Sequence, residues 1–209
     1  VGLGGGRVLE AVPPSVRRVD VIEIEQKVID ANRQLANRRA RDPLRDERFN
    51  FIVNDARGAL QLTAKKYDAV ISQPSHPWTA GASHLYTREF MQQARDHLNP
   101  AGLFVQWMNV DFLDESLLRS LVATLTDVFS HVRLYRPAPH TLLFLASDSP
   151  IEPEQQVSAT RAALAAAPGH YASFGLNVVE DLIVSLAMDD AGSRAFAAGA
   201  PIITDDANR

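Results

Sequence analysis

Cysteine is absent from the 209 residues, which excludes a disulfide framework, a thiolate nucleophile and any zinc site that needs sulfur. Six histidines leave a carboxylate and imidazole site open on composition alone, although no metal is expected for the chemistry reached below. No stretch approaches the ~18 consecutive apolar residues of a membrane-spanning helix, and the sequence does not open on a signal-peptide pattern. No membrane contact is therefore expected of these residues. Excess positive charge is missing too: 21 Lys and Arg face 25 Asp and Glu, for a formal net charge of -4. No global field draws in nucleic acid or anionic lipid, so a small molecule or a protein is the expected partner. Internal repeats and low-complexity tracts are also lacking. What remains is 46% hydrophobic and 22% charged, ordinary globular usage that excludes a disordered, collagen-like or coiled-coil chain. The length suits one large domain, or one domain with an appendage.

The sequence starts without Met, at Val1-Gly2-Leu3-Gly4-Gly5-Gly6. A glycine-rich turn of this kind normally follows a complete strand, so the expectation is a fragment whose first strand, and any domain before it, lies upstream. Short apolar runs alternate with amphipathic stretches from there on, the pattern of strands and crossover helices in an α/β sheet. Residues 19–24, 49–53, 69–72 and 103–107 read as buried parallel strands, rich in Val, Ile and Phe. Residues 26–37, 56–62 and 87–98 carry apolar side chains at helical spacing. Asp114 then precedes a wide stripe of Leu117, Leu118, Leu121, Val122, Leu125 and Val128, which predicts a helix behind an N-cap. Residues 132–135 and 141–147 follow as two strands across a Pro-rich link, a hairpin that makes one strand antiparallel. The composition shifts from Pro150 to Ala, Gln and Glu, with helices expected over 154–166, 178–188 and 193–198. The expected division is residues 1–149 as the sheet domain and 150–209 as a helical extension packed on it. The Ala-rich stretch 162–167 predicts a small-residue packing face.

Gly2, Gly4 and Gly6 sit where a strand turns into a helix, a place where backbone N–H groups can approach a ligand. Arg7 occupies the third-glycine position of the dinucleotide pattern, which argues against NAD; the plainer reading is a tight turn. Glu23 near the end of the second strand can accept both hydroxyls of a ribose lying over the sheet edge, or can be a solvated strand end. Asn54-Asp55-Ala56 follows the third strand and suits an exocyclic amine such as adenine N6, while also fitting an ordinary N-cap. Three such sites at three successive strand ends weigh more than any one. The densest polar stretch is 67–81, with Gln73, Ser75, His76 and Trp78 between prolines. These could hold an amine acceptor, His76 as general base and Trp78 as an aromatic wall for a cation; a rigid connector is the alternative. The basic cluster Arg33, Arg38, Arg39, Arg41, Arg45 and Arg48 is interleaved with Asp42, Asp46 and Glu47 and reads as a solvated helix end. Thr204-Asp205-Asp206 reads as a paired-acid turn, with a metal or substrate site as the other reading.

Taken in order, Gly2 to Gly6, Val21-Ile22-Glu23-Ile24-Glu25, Asn54-Asp55-Ala56, residues 67–77, Leu85-Tyr86-Thr87-Arg88-Glu89-Phe90 and Pro100-Ala101-Gly102 resemble the spermidine/spermine synthase family of polyamine aminopropyltransferases. The resemblance covers about residues 1–147. It implies the α/β, Rossmann-like fold of S-adenosylmethionine-dependent methyltransferases, mostly parallel with one antiparallel strand and C-terminal helices. It further implies decarboxylated S-adenosylmethionine or S-adenosylmethionine as donor, with Gly2, Gly4 and Gly6 facing it, Glu23 on its ribose, and Asp55 with Ala56 at its adenine. An amine acceptor would meet Ser75, Trp78 and Tyr86, with Gln73 and His76 at the catalytic positions. Three positions depart from the family: Gly5 stands where an Asp helps bind the donor's amine, and Gln73 and His76 stand where two acids are usual. Neutral Gln73 cannot take the acceptor's proton, which leaves His76 as the candidate base. The tail with Thr204-Asp205-Asp206 looks like larger spermidine-synthase-like proteins that carry a membrane-embedded region. The expected setting is therefore cytoplasmic, or the soluble domain of a membrane-anchored protein, with a homodimer among the arrangements left open. Besides aminopropyl transfer, methyl transfer and non-catalytic binding of a nucleoside or polyamine are the alternatives.

Overall fold

The computed structural model of the chain describes residues 1–39, 42–74, 81–173 and 175–207. Helix α1 (Arg7–Glu10) follows the glycine turn, then β1 (Val19–Glu23), α2 (Gln26–Gln34), β2 (Phe49–Val53), α3 (Ala56–Gln61) and β3 (Tyr67–Ser72). Next come α4 (Arg88–Asp96), β4 (Leu98–Asn109), α5 (Glu115–Val128), β5 (His131–Ala138) and β6 (Thr141–Ser147). The remainder is α6 (Val157–Ala166), α7 (Pro168–Ala172), α8 (Val179–Ile183), β7 (Leu186–Met188) and α9 (Asp190–Ala197). Strands β1 and β2 pair in parallel, Val19 opposite Phe49 through Glu23 opposite Val53. The other five lie in the order β3-β4-β6-β5-β7. Residues 1–3 join the two sheets: the Gly2 N–H donates to the Ile22 carbonyl, and the Val1 carbonyl accepts from the Gln73 N–H, both at 2.9 Å. The glycine turn therefore springs from between β1 and β3, at their carboxyl ends.

The strand direction follows from the connections. Strands β3 and β4 are parallel across the α4 crossover, whereas the short link between β5 and β6 makes a hairpin, and β6 runs antiparallel to both β4 and β5. One expectation is corrected here. The helix predicted over 178–188 ends at Ile183, and Leu186–Met188 becomes a second antiparallel strand on the far edge of β5. Leu182, Ile183 and Leu186 fit a helical face, but Leu186 and Met188 also alternate as a strand does, and the outer edge of β5 carries backbone groups that need partners. Arg136 accordingly donates its N–H to the Ser185 carbonyl at 2.7 Å. The alanines of α6 do not form a packing face either: no residue of that helix is buried.

The main core lies under β3 to β6, where Phe90, Phe104, Phe129 and Phe144 are fully buried. Phe104 stacks on Phe129 with centroids 5.6 Å apart and meets Phe90 edge-on at 6.3 Å, arrangements that add to simple area burial. Helix α5 starts where expected, the Asp114 carboxylate accepting the Leu117 N–H at 2.7 Å. A smaller cluster, Leu3, Leu9, Val21, Ile29 and Phe49, packs α1 and α2 against β1 and β2. The arginine cluster beside it is only partly a solvated helix end. Arg48 grips Asp46 and donates to the Pro13 and Val16 carbonyls at 2.9 Å, with its guanidinium over the Phe49 ring. Arg39 turns inward to the glycine turn. Among the described residues, no helix is long and apolar enough to cross a membrane.

Candidate functional site

The turn at residues 2–6 is held by its surroundings. Gly2 has φ +81, and a Cβ there would sit 2.5 Å from the Gln73 carbonyl oxygen; Gly6 has φ +70, with its Cβ position 2.7 Å from the Asn32 side-chain oxygen. Both the left-handed backbone and the close approach demand glycine. Gly4 and Gly5 instead look onto open space. Their carbonyls are tied back, Gly4 O to Asn32 Nδ2 at 2.8 Å and Gly5 O to the Arg39 guanidinium at 2.6 Å. Arg39 also bonds the Asn32 oxygen and pairs with Glu10 at 3.0 Å. In front of the turn lies an open cleft of about 280 Å³, lined by residues 2–8, Gln73 and Trp107.

Glu23 is buried to 8% exposure at the end of β1. Its Oε2 accepts the Leu3 N–H at 2.8 Å and its Oε1 the Glu25 N–H at 3.1 Å. Each carboxylate oxygen retains a second lone pair, so the group is oriented yet still able to accept a diol. The Asn54 N–H donates to the Glu23 carbonyl at 3.1 Å, which brings the ends of β1 and β2 together. Asp55 caps α3 through the Gly58 N–H at 2.9 Å, and Asn54 Oδ1 takes the Asp55 N–H at 2.8 Å. Both roles weighed for this motif can coexist, since capping uses one carboxylate oxygen and Asp55 is exposed. The Ala56 side chain is buried in the core, so anything it offers a ligand comes from its backbone.

The remaining candidates divide. Gln73 lines the cleft and its N–H is spent on Val1, leaving the side-chain amide as its functional group. Ser75, His76 and Trp78 lie outside the described residues. Tyr86 is 3% exposed within the main core, where burial pushes its hydroxyl pKa up; it is not part of the described cleft wall. Sequence reading missed three features. Trp107 stands on the cleft wall at the end of β4, the side of an open α/β sheet where ligands bind, and that position was the available signal. Ile24, 70% exposed, and Val53, 48% exposed, flank Glu23 and Asn54 with apolar surface that an aromatic base could cover. The third is the tail: Asp205 is no simple turn acid but a bidentate partner of Arg57, at 2.7 and 2.6 Å, the residue after Ala56. Among the described residues no group of three or more acids and histidines is arranged to hold a metal ion.

Comparison with known proteins bears on this arrangement. Residues 2–142 match the model of the spermine/spermidine synthase domain. The polyamine aminopropyltransferase of Shigella boydii serotype 4 is 29% identical over 140 residues, 66% of this chain and 48% of that protein. The chain thus spans about half the length of that curated relative. Among solved structures, a probable spermidine synthase from Corynebacterium glutamicum superposes with TM-score 0.60 at 22% identity, over 90% of this chain and 63% of that one. A spermidine synthase in complex with the transition-state analogue AdoDATO gives 0.61 at 23%, over 71% and 53%. Human methyltransferase-like protein 13 in complex with SAH gives 0.56 at 20%, over 71% and 70%. The fold is therefore the Rossmann-like one common to spermidine synthases and S-adenosylmethionine-dependent methyltransferases.

Proposed function

Because this chain belongs to the spermine/spermidine synthase family, we propose that it binds decarboxylated S-adenosylmethionine or S-adenosylmethionine in the cleft before the glycine turn and transfers the aminopropyl group of the decarboxylated donor to an amine. One observation carries this reading: Glu23 is bonded to the glycine turn through its oriented carboxylate at Leu3 and to the Asn54-Asp55 pair through its own carbonyl, and Gln73 lines the cleft before that turn. The residues fit the donor. Glu23 keeps acceptor sites for ribose hydroxyls, Ile24 and Val53 offer apolar surface to the base, and Gly4 and Gly5 leave room for the chain that carries sulfur. The donor supplies a carbon activated by the neighbouring sulfonium. An acceptor nitrogen forms the new C–N bond there as the C–S bond breaks, releasing 5′-methylthioadenosine and a proton.

Such a displacement depends mainly on alignment. The Gln73 amide oxygen can accept a hydrogen bond from the incoming amine and aim its lone pair, and the Trp107 ring offers a face to a cation. Gln73 cannot remove the proton; His76, which follows it in sequence, is the proposed base. Methyl transfer is the second reading, favoured by Gly5. The carboxylate expected to attract the amine end of a decarboxylated donor is missing there. Parallel calorimetric titration with 5′-methylthioadenosine, S-adenosylhomocysteine and decarboxylated S-adenosylmethionine separates the readings. Preference for the first and third supports aminopropyl transfer, and preference for S-adenosylhomocysteine supports methyl transfer. Binding of none of the three rejects the nucleoside site. Product analysis then decides among 5′-methylthioadenosine, S-adenosylhomocysteine and no turnover, the last marking a binding module.

A further inference from the structure

The final described residues are tied from far away in sequence to the starts of α3 and α4. Ile203 is buried, donating its N–H to the fully buried Thr124 hydroxyl at 2.9 Å and accepting the Arg88 N–H at 2.8 Å. Two residues on, Asp205 Oδ1 accepts from Arg57 Nη1 and from the Thr87 hydroxyl, both at 2.7 Å, while Oδ2 accepts from Arg57 Nη2 at 2.6 Å. Its own N–H donates to Glu89 Oε2 at 3.0 Å. Bidentate pairing of this kind fixes geometry as well as adding energy. Both residues so gripped sit at helix starts. Arg57 is in the first turn of α3, two residues after its cap Asp55, and Thr87 is the cap of α4, accepting the Phe90 N–H. The Gln93 side chain closes the same seam by donating to the Arg57 carbonyl at 2.8 Å.

We infer that Asp205 is a positioning residue for the nucleoside site: by holding Arg57 and Thr87 together it fixes where α3 begins, and so where Asn54 and Asp55 stand relative to Glu23. The inference rests on the nucleoside reading of the cleft. The reason a tail acid is needed is electrostatic. The Arg57 guanidinium also feels the charges of Asp55 and Glu89, and without Asp205 it is free to draw the Asp55 carboxylate off the Gly58 N–H and unwind a cap on a helix of only six residues.

The test uses the 209-residue chain with Asp205→Asn, Asp205→Glu and Asp148→Asn, the last breaking a carboxylate–arginine pair with Arg95 at 2.7 Å outside the cleft. Affinity for 5′-methylthioadenosine is read by calorimetry and backbone order by hydrogen exchange. Asp205→Asn is expected to weaken binding by about fivefold or more, the scale of a real coupling between sites, and to speed exchange over residues 54–61 and 84–91. Asp205→Glu is expected to recover part of the affinity, and Asp148→Asn to leave it unchanged. Affinity of Asp205→Asn within about twofold of the unaltered chain overturns the inference. Equal weakening by Asp148→Asn overturns it too, because the effect is then general destabilisation. If the unaltered chain binds no nucleoside, the reading of the cleft fails instead, and unaltered exchange over the two segments in Asp205→Asn then overturns the clasp as well.

Discussion

The two sheets are built on different principles. Under β3 to β6 the chain packs aromatic rings on one another, with Phe104 between Phe90 and Phe129 at no exposure at all. At the β1–β2 sheet the apolar cluster is small, and position is set by hydrogen bonds: Asn32 and Arg39 on the turn carbonyls, Leu3 and Glu25 on the Glu23 carboxylate. Packing is non-directional and tolerates small shifts, whereas hydrogen bonds to fixed backbone groups define angles. The first sheet supplies stability and the second supplies alignment.

Substitutions should separate the two. Phe104→Ala removes the centre of the ring stack and is expected to cost about 3–5 kcal/mol of stability, read by urea unfolding, with nucleoside affinity retained in whatever fraction stays folded. A loss of affinity in that folded fraction would blur the division. Gly2→Ala comes next, because it combines a left-handed backbone, costing about 1–3 kcal/mol, with a Cβ 2.5 Å from the Gln73 carbonyl. Its expected signature is the reverse, nucleoside binding lost beyond what the fall in melting temperature explains. Glu23→Ala should weaken nucleoside binding by about 1.5–3 kcal/mol, the worth of charge-assisted hydrogen bonds, and unchanged calorimetric affinity would remove Glu23 from the site. Asp114→Ala, at the cap of α5, should cost about 1 kcal/mol of stability and nothing in binding.

The smallest effect concerns acid. The Arg57 guanidinium holds the Asp205 carboxyl below its ordinary value of 3.8, against the opposing effect of burial. A carboxyl lowered in the folded state stabilises above the unfolded value, and this contribution is lost as the pH falls through the folded value. Stability of the unaltered chain and of Asp205→Asn should therefore differ above the ordinary carboxylate range and converge below it, Arg57 being the main partner of the carboxylate and His84, 3.9 Å from Oδ1, a lesser one. A difference that persists undiminished below the carboxylate range would assign the effect to another group.

Much of the candidate site is legible because it lies at strand ends, and strand ends follow from apolar runs bounded by turn residues. Strands β2 and β6 stand at the residues expected, 49–53 and 141–147, and Asp114 caps α5 as its position before the apolar stripe implies. Helix 178–188 was misjudged because periodicity counts apolar residues without knowing that the edge of β5 lacks a partner. Trp107 on the cleft wall and the exposed Ile24 and Val53 are missed for a related cause: a strand-end hydrophobe looks like core in sequence, and only the placement of its neighbours decides whether it is covered. Arg39 was hidden inside a run of mixed charge, where five other arginines offered the same side chain.

By itself, then, the sequence determined the α/β class, the family, the turn at residues 2–6 and the strand-end placement of the candidate acids Glu23 and Asp55, because each depends on local spacing and side-chain chemistry within a few residues. Tertiary structure alone decided that Arg39 reaches back to Gly5, that Leu186–Met188 joins the sheet, and that Asp205 closes on Arg57 across 148 positions. Those contacts arise when distant segments are brought together by burial of the core, and no local pattern encodes which of several equivalent charges will meet.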